Sequence, residues 1–374
     1  MFQILHLADL HLGWAAQFLG PRADERRAER NRLLDRAVDF ALRPESRIGL
    51  VILAGDLFET HRPDAALTSQ VIGQLKRLEA AGVRTVTVPG NHDEITYHDS
   101  VYRQKSAEWP GVLVQNPSPA HAGTLDVGGT PVHVYSLAYT GGLTRTSPPI
   151  DFFPRLGKAG KHIGVFHGSL DWDAGDRSLP LSSAALGAAG YDYIALGHIH
   201  QHLVRDVGKS RAVYPGAVEG KGFSDPGTGF FTVIEMGESA VVRQVPAGTR
   251  PVRAQTLDAG TFASQEELAV AVASLGDGQA IQQVALTGSP AFPIDIETLR
   301  ARVEGAFYFL DLSDETEFLS PPMLERLVQE PTIRGQFAVR MRRALEAAAD
   351  ERERRILERA LRFGLSGFSG GAAR

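Results

Sequence analysis

Five segments of this chain share one pattern: a short apolar run, then at once a sharp turn carrying Asp, Asn or His. The runs cover residues 2–7, 50–54, 85–88, 163–166 and 193–196. The turns that follow read Asp9-Leu10-His11, Gly55-Asp56, Gly90-Asn91-His92-Asp93, His167-Gly168 and Gly197-His198-Ile199-His200. Short runs rich in Val, Ile and Leu read as buried strands. In open α/β sheets, ligands gather just beyond the carboxyl ends of the strands. The repetition therefore gathers carboxylate, amide and imidazole groups at one rim of one sheet, a combination suited to a pair of divalent metals.

The candidate ligands are Asp9, His11, Asp56, Asn91, His167, His198 and His200. They offer oxygen and nitrogen donors and no sulfur, which suits manganese, iron or zinc better than calcium or copper(I). Seven ligands exceed the needs of one tetrahedral metal. They suffice for two if one carboxylate bridges, as in two-metal sites whose ions lie roughly 3.5–4 Å apart.

The order DLH, GD, GNHD, HG, GHIH resembles the five-part signature of calcineurin-like metallophosphoesterases. The surrounding wording (ILHLADLHLG, VILAGDLFE, VTVPGNHD, YIALGHIHQH, VYPGAVEG) is similar to the SbcD-type DNA repair exonucleases, and within them to a bacterial YhaO-like group. The motifs span residues 1 to 220. The resemblance implies a layered α/β metallophosphoesterase sandwich with a small α/β capping domain and C-terminal helices. It implies that Asp9, His11 and His200 hold one metal, that Asn91, His167 and His198 hold the other, and that Asp56 bridges. Two divalent ions are expected, manganese first, with iron or zinc as alternatives. His92 would face the scissile phosphate and assist the leaving group, while a metal-activated water attacks phosphorus.

Glu59 stands where SbcD-like proteins often carry Asp. Its carboxylate is expected to hydrogen-bond His92 and orient the ring. Asp93 is expected to hold its neighbours by outer hydrogen bonds. The remaining histidines carry no expected chemistry: His6 lies inside the first strand and packs or pairs with backbone, and His61, His98, His121, His133 and His162 sit in polar or loop contexts that suit surface or turn roles. His202 is a candidate to line the cleft. Tyr97 and the 168–180 loop, with Asp171, Trp172 and Asp173, are candidates to border substrate, and no substrate-binding residue is assigned.

The 374 residues suggest several domains. Residues 24–42, with Leu33, Leu34, Ala37, Val38 and Ala41 on one face, predict an amphipathic helix. Its arginines (Arg22, Arg26, Arg27, Arg30, Arg32 and Arg36) read as a solvated face paired with Asp and Glu. Further helices are expected over 65–81 and 182–189. Beyond Pro251 the pattern predicts a βαβαβ unit: strands at 252–257, 281–287 and 307–312, helices at 264–274 and 296–304. After Pro321-Pro322, helices are expected at 323–329, 333–349 and 351–363. The expected domains are a catalytic core at 1–250, a cap at 251–320, a helical partner-binding segment at 321–366 and a disordered tail at 367–374.

With no cysteine, disulfides and Cys-based zinc sites are excluded. The start of the chain lacks the pattern of a signal peptide, and no apolar run approaches the ~20 residues of a membrane span. A cytoplasmic location and no membrane contact are expected. The net charge of −5 is low for a free-standing DNA binder.

The ligands point to a two-metal phosphodiesterase, and the resemblance implies that it acts on DNA, as an exonuclease or end-processing nuclease. A phosphoesterase for nucleotides or phosphoproteins would use the same metals. A non-catalytic scaffold is expected to have lost ligands, whereas all are present here. From the resemblance, the expected partners are DNA and an SbcC-type coiled-coil ATPase docked on the C-terminal helices, with a homodimer left open. Leu345, Ile356, Leu357, Leu361 and Phe363 would supply the apolar contact to the ATPase.

Overall fold

A computed structural model of the chain describes residues 2–141, 150–171, 178–225, 229–290, 292, 294–316 and 321–369. They form two compact units, Met1–Val252 and Arg253–Arg374.

The first unit is built on two six-stranded sheets. One runs in the order Ala240–Pro246, Phe230–Met236, Phe2–Leu7, Ile48–Ala54, Arg84–Val88, Val112–Leu113. The other runs Leu203–Val207, Ser210–Tyr214, Tyr193–Gly197, Lys161–His167, Thr130–Ser136, Ala120–Val127. The central strands of each sheet are parallel and the outer ones antiparallel, except that Val112–Leu113, at one edge of the first sheet, pairs parallel. The motif strands are thus divided, three in the first sheet and two in the second. The sequence expectation of a single sheet is corrected: buried strands on either side of one core look alike as apolar runs.

Alternation along each strand builds the layers. Ile163, Val165, Tyr193 and Ala195 turn toward a core shared with Ile52 and Val86 of the first sheet. Phe166, Ile194 and Leu196 turn the other way, into a second core with Leu186 of the helix Ser183–Ala189. The same first core takes the buried faces of helices Leu33–Ala41 and Ala65–Ala80. Strands covered on both faces need no polar alternation, which is why they read as continuous apolar runs.

The helix expected over 24–42 is two helices, Ala23–Asn31 and Leu33–Ala41, with a non-helical backbone at Arg32. Its expected solvated face is also corrected. Arg26 and Arg30 are fully buried. Arg26 pairs with the buried Glu219 at 2.6 Å, and Arg30 donates to three backbone carbonyls. A buried guanidinium is tolerable only when its donors are met in this way.

In the second unit, strands Val252–Asp258, Ile281–Thr287 and Phe309–Asp314 form a three-stranded sheet with helices Gln265–Ser274 and Ile296–Val303 over a core of Leu268, Val272, Val284, Leu299 and Leu312. Ser264 caps the first of these helices by accepting from the Glu267 amide. Helices Pro321–Val328, Ile333–Glu346 and Glu351–Ser369 share a small core of Leu327, Ala338, Leu361 and Leu365, with Leu345 packed against it. The last helix runs past the expected end at Phe363, three residues into the stretch expected to be disordered. Gly364, which reads as a breaker, admits Phe337: a Cβ there would stand 2.1 Å from the Phe337 ring. Among the described residues, no helix is long and apolar enough to cross a membrane.

Candidate metal centre

The strand register brings the five turns together. Leu7 pairs with Leu53, Ala54 with Val88 and Gly197 with His167, so the carboxyl ends align. The turns are stitched by main-chain bonds, Asp9 N–H to Gly55 O at 3.1 Å and His11 N–H to Asp56 O at 3.0 Å. Four candidate ligands, Asp9 (φ 55°), His11 (φ 46°), Asp56 (φ 50°) and His198 (φ 101°), sit in left-handed backbone that non-glycine residues seldom adopt. Such strain concentrates where structure is held for function. Two glycines allow the close approach. A Cβ at Gly90 would stand 2.2 Å from Asp56 Oδ1, and one at Gly197 would stand 1.9 Å from Ala54 O.

All seven candidate ligands converge on this rim. Asp9, His11, Asp56, Asn91 and His167 are buried; His198 and His200 are partly so. Two sets form around Asp56. In the first, His11 Nε2 and His200 Nε2 lie 3.2 Å apart, His11 Nε2 is 3.8 Å from Asp56 Oδ2, and His200 Nε2 is 4.0 Å from Asp9 Oδ1. In the second, Asn91 Oδ1 is 3.0 Å from His167 Nε2 and 2.9 Å from His198 Nδ1, while His167 Nε2 is 3.4 Å from Asp56 Oδ2. Asp9, His11 and His200 form one group able to hold an ion, and Asp9, Asp56 and His167 form another.

The donor chemistry fits cations. His11 Nδ1 lies 2.8 Å from Glu59 Oε2, and His200 Nδ1 lies 3.0 Å from Asp225 Oδ2. A carboxylate keeps the proton on the nitrogen it faces. Both Nε2 atoms then turn lone pairs toward each other. His167 donates from Nδ1 to the Ala54 carbonyl at 2.8 Å, which leaves its Nε2 facing Asn91 Oδ1 and Asp56 Oδ2. Acceptors facing acceptors at such distances call for shared positive charge between them.

The titration behaviour agrees. Burial alone would lower the His167 imidazole, but the Asp56 carboxylate beside it pushes it up to about 9. Burial would raise the Asp56 carboxyl, but His167, His11 and His92 hold it far below the usual range. Burial and the neighbouring His167 bring His198 down to about 4. Without cations, a proton on His167 meets part of the charge demand of the carboxylates.

His92 differs from the ligands. Its peptide N–H donates to Asp56 Oδ1, while its half-exposed ring stands 4.7 Å from the His11 ring centre to centre. Glu59 departs from expectation. Its carboxylate faces His11 and Lys221 and stays 3.7 Å from His92 Nδ1, which instead lies 3.3 Å from the Glu59 backbone carbonyl. The longer Glu arm carries the carboxylate past His92. Burial opposes ionisation of Glu59, but His11 and Lys221 bring its carboxyl down to about 2.

Asp93 is fully buried and accepts from the amides of Phe58 and Gly90 and from the Tyr102 hydroxyl at 2.7 Å. Burial and repulsion from Asp56 push it up to about 6. Of the other candidates, His6 pairs with the Tyr193 hydroxyl at 2.8 Å, Tyr97 is exposed and stacks on His61, and His202 lies 3.3 Å from the Pro215 carbonyl. Asp171 accepts from the Ser183 amide. Trp172 and Asp173 lie outside the described residues. Sequence reading missed Lys221, Asp225, Glu219 and Arg30. The VYPGAVEG wording stops at Gly220, just short of the first two.

Residues 2–202 match the calcineurin-like phosphoesterase family. The chain belongs to that family. The chain is 27% identical over 241 residues to an uncharacterized metallophosphoesterase, YhaO, of Bacillus subtilis, covering 61% of this chain and 56% of that protein. It is 25% identical over 240 residues to the DNA double-strand break repair protein Mre11 of Methanopyrus kandleri, covering 58% and 49%. It is 26% identical over 282 residues to the Mre11 of Aeropyrum pernix, covering 70% and 64%. The chain thus spans about half to two thirds of the length of these curated relatives.

Proposed function

We propose that this protein is a two-metal phosphodiesterase that cleaves DNA as an exonuclease or end-processing nuclease. One observation carries the chemistry: ring nitrogens of His11 and His200 on one side, and Asn91 Oδ1 with ring nitrogens of His167 and His198 on the other, gather around the carboxylate of Asp56. Asp9, His11 and His200 hold the first cation in this reading, Asn91, His167 and His198 the second, and Asp56 bridges. Manganese suits the mixed oxygen and nitrogen set. Two dications held there would lower the pKa of water and neutralise charge on a phosphodiester.

The chain's own residues do the rest. Asp93 fixes the backbone of the Asn91 turn through the Gly90 amide. The half-exposed His92 ring, on a backbone tethered to Asp56, donates a proton to the leaving oxygen or stabilises charge on phosphate. DNA as substrate is supported by the likeness to the Mre11 proteins and by the SbcD-type wording of the motifs.

The second unit serves the same function in this reading. Residues 321–366 dock an SbcC-type ATPase, a role supported by the SbcD-type wording of the motifs. Leu361 and Leu345 are used inside the helical core, and of the expected contacts Ile356 is 58% exposed and Leu357 half-buried.

A manganese-supplemented assay tests the assignment by comparing end-labelled duplex DNA, single-stranded DNA and bis-p-nitrophenyl phosphate. The expected result is metal-dependent release of nucleotides from DNA ends. Preferential turnover of free nucleotides or phosphopeptides would overturn the DNA assignment. Absence of any metal-dependent hydrolysis would overturn the enzyme assignment.

A further inference from the structure

Two carboxylates stand behind the first pair of histidines, Glu59 behind His11 and Asp225 behind His200. One residue grips both. The Lys221 ammonium lies 2.7 and 3.0 Å from the two Glu59 oxygens, and the Lys221 peptide N–H donates to Asp225 Oδ2 at 2.8 Å. The oxygen that accepts from the Lys221 amide is the one that faces His200 Nδ1. The second set is backed differently. The outer nitrogen of His167 meets a neutral backbone carbonyl, that of Ala54.

The segment that carries Lys221 is anchored to the segment that carries His11. The buried Arg30 guanidinium donates to the carbonyls of Leu10 at 3.0 Å, Glu219 at 3.0 Å and Gly220 at 2.7 Å. The Trp14 ring lies 4.8 Å from Arg30 Cζ and 5.6 Å from Lys221 Nζ, so both cations rest on one aromatic face system.

We propose that Lys221 is a positioning residue that holds both histidines of the first cation site through Glu59 and Asp225 and makes that site the tighter of the two. This rests on the two-cation reading given above. A carboxylate behind an imidazole fixes its tautomer and strengthens the lone pair on its far nitrogen, and removing such a partner costs on the order of 10–100-fold in metal affinity. A neutral carbonyl fixes the tautomer with less polarisation. Lys221 also neutralises Glu59, so this carboxylate stays behind His11 instead of swinging toward the dication as a ligand of its own.

The test is manganese titration by calorimetry of the full-length chain, with metal content measured after gel filtration. Wild-type protein should bind two cations in separable steps. Lys221→Met, which keeps the aliphatic stem on Trp14, should weaken the tighter step about 10–100-fold and leave the weaker step within twofold. Glu59→Gln and Asp225→Asn should weaken the same step, and Lys221→Met/Glu59→Gln should be no worse than the poorer single variant. Lys221→Arg should recover part of the loss. Thermal melting in chelator should be unchanged in Lys221→Met, while the upward shift on adding manganese should shrink.

Wild-type protein that binds fewer than two cations would remove the two-cation reading itself. Two cations bound by wild type, with both steps unaltered in Lys221→Met and Asp225→Asn, would overturn the Lys221 assignment alone. Equal weakening of both steps would also overturn it. If Lys221→Met does not fold, Glu59→Gln and Asp225→Asn decide by the same two criteria.

Discussion

The peptide N–H of His92 donates to Asp56 Oδ1 at 2.9 Å, while its ring nitrogen lies within 4.8 Å of His11 and that carboxylate. The backbone of His92 therefore belongs to the architecture of the centre, and its side chain is available to substrate. Replacing the ring leaves the amide in position. His92→Ala is expected to retain two cations by metal analysis, while turnover falls on the order of 10²–10⁴-fold, the usual range for a lost general acid. Loss of cations from this variant would make the ring a ligand.

Asp56 faces both sets, with His11 on one side and His167 on the other. Asp56→Ala is expected to lose both cations, and His200→Ala chiefly the first. Inductively coupled plasma analysis of the purified variants reads this directly. Two tightly held ions in Asp56→Ala would refute the bridging role.

The glycines at the strand ends are steric requirements. Gly90→Ala would drive a Cβ into Asp56, and Gly197→Ala one into the Ala54 carbonyl. Each is expected to destabilise the fold by about 1–3 kcal/mol, as overpacking does. Urea unfolding in chelator measures the fold without the cations.

His6 carries a pH dependence that is independent of the centre's ligands. Its complete burial lowers the imidazole to about 3, against an ordinary value near 6.5. The folded state holds it neutral and the unfolded state protonates it first. Its contribution to stability is therefore intact above pH 6.5 and is lost as the pH falls from 6.5 toward 3, at a limiting slope of about 1.4 kcal/mol per unit. His6→Gln is expected to flatten the decline in chelator-treated protein between pH 6.5 and 5. An unchanged slope would assign the acid sensitivity elsewhere.

The C-terminal helices carry a core of their own, through Leu327, Ala338, Leu361 and Leu365. Truncation after Thr316 is expected to leave a folded protein that still cleaves a small phosphodiester but no longer co-purifies with an SbcC-type ATPase. An insoluble product would show that these helices are needed for the chain's own folding.

Much of the centre is legible in the sequence because strand ends are signalled locally. An apolar run and the polar turn after it are neighbours in the chain, so Asp9, Asp56, Asn91 and His198 announce themselves. What supports them is not local. Lys221 reaches Glu59 across 162 positions, and Arg30 reaches Gly220 across 190. Nothing in either local sequence marks the partner. The arginines of residues 22–36 follow a surface-like rhythm, and only the buried Glu219 and the carbonyls they meet explain why Arg26 and Arg30 lie inside. Gly364 misleads for the opposite reason: a helix breaker by propensity becomes a contact surface once Phe337 packs on it.

The division of the five motif strands between two sheets also bears on the birth of the molecule. A ribosome that has released the chain only through Asn91 has delivered Asp9, His11 and Asp56, yet His167, His198 and His200 are still unmade. No shorter nascent segment can gather the two sets around Asp56. The centre thus assembles late in synthesis, after both sheets have their central strands, and an incomplete chain carries only part of it.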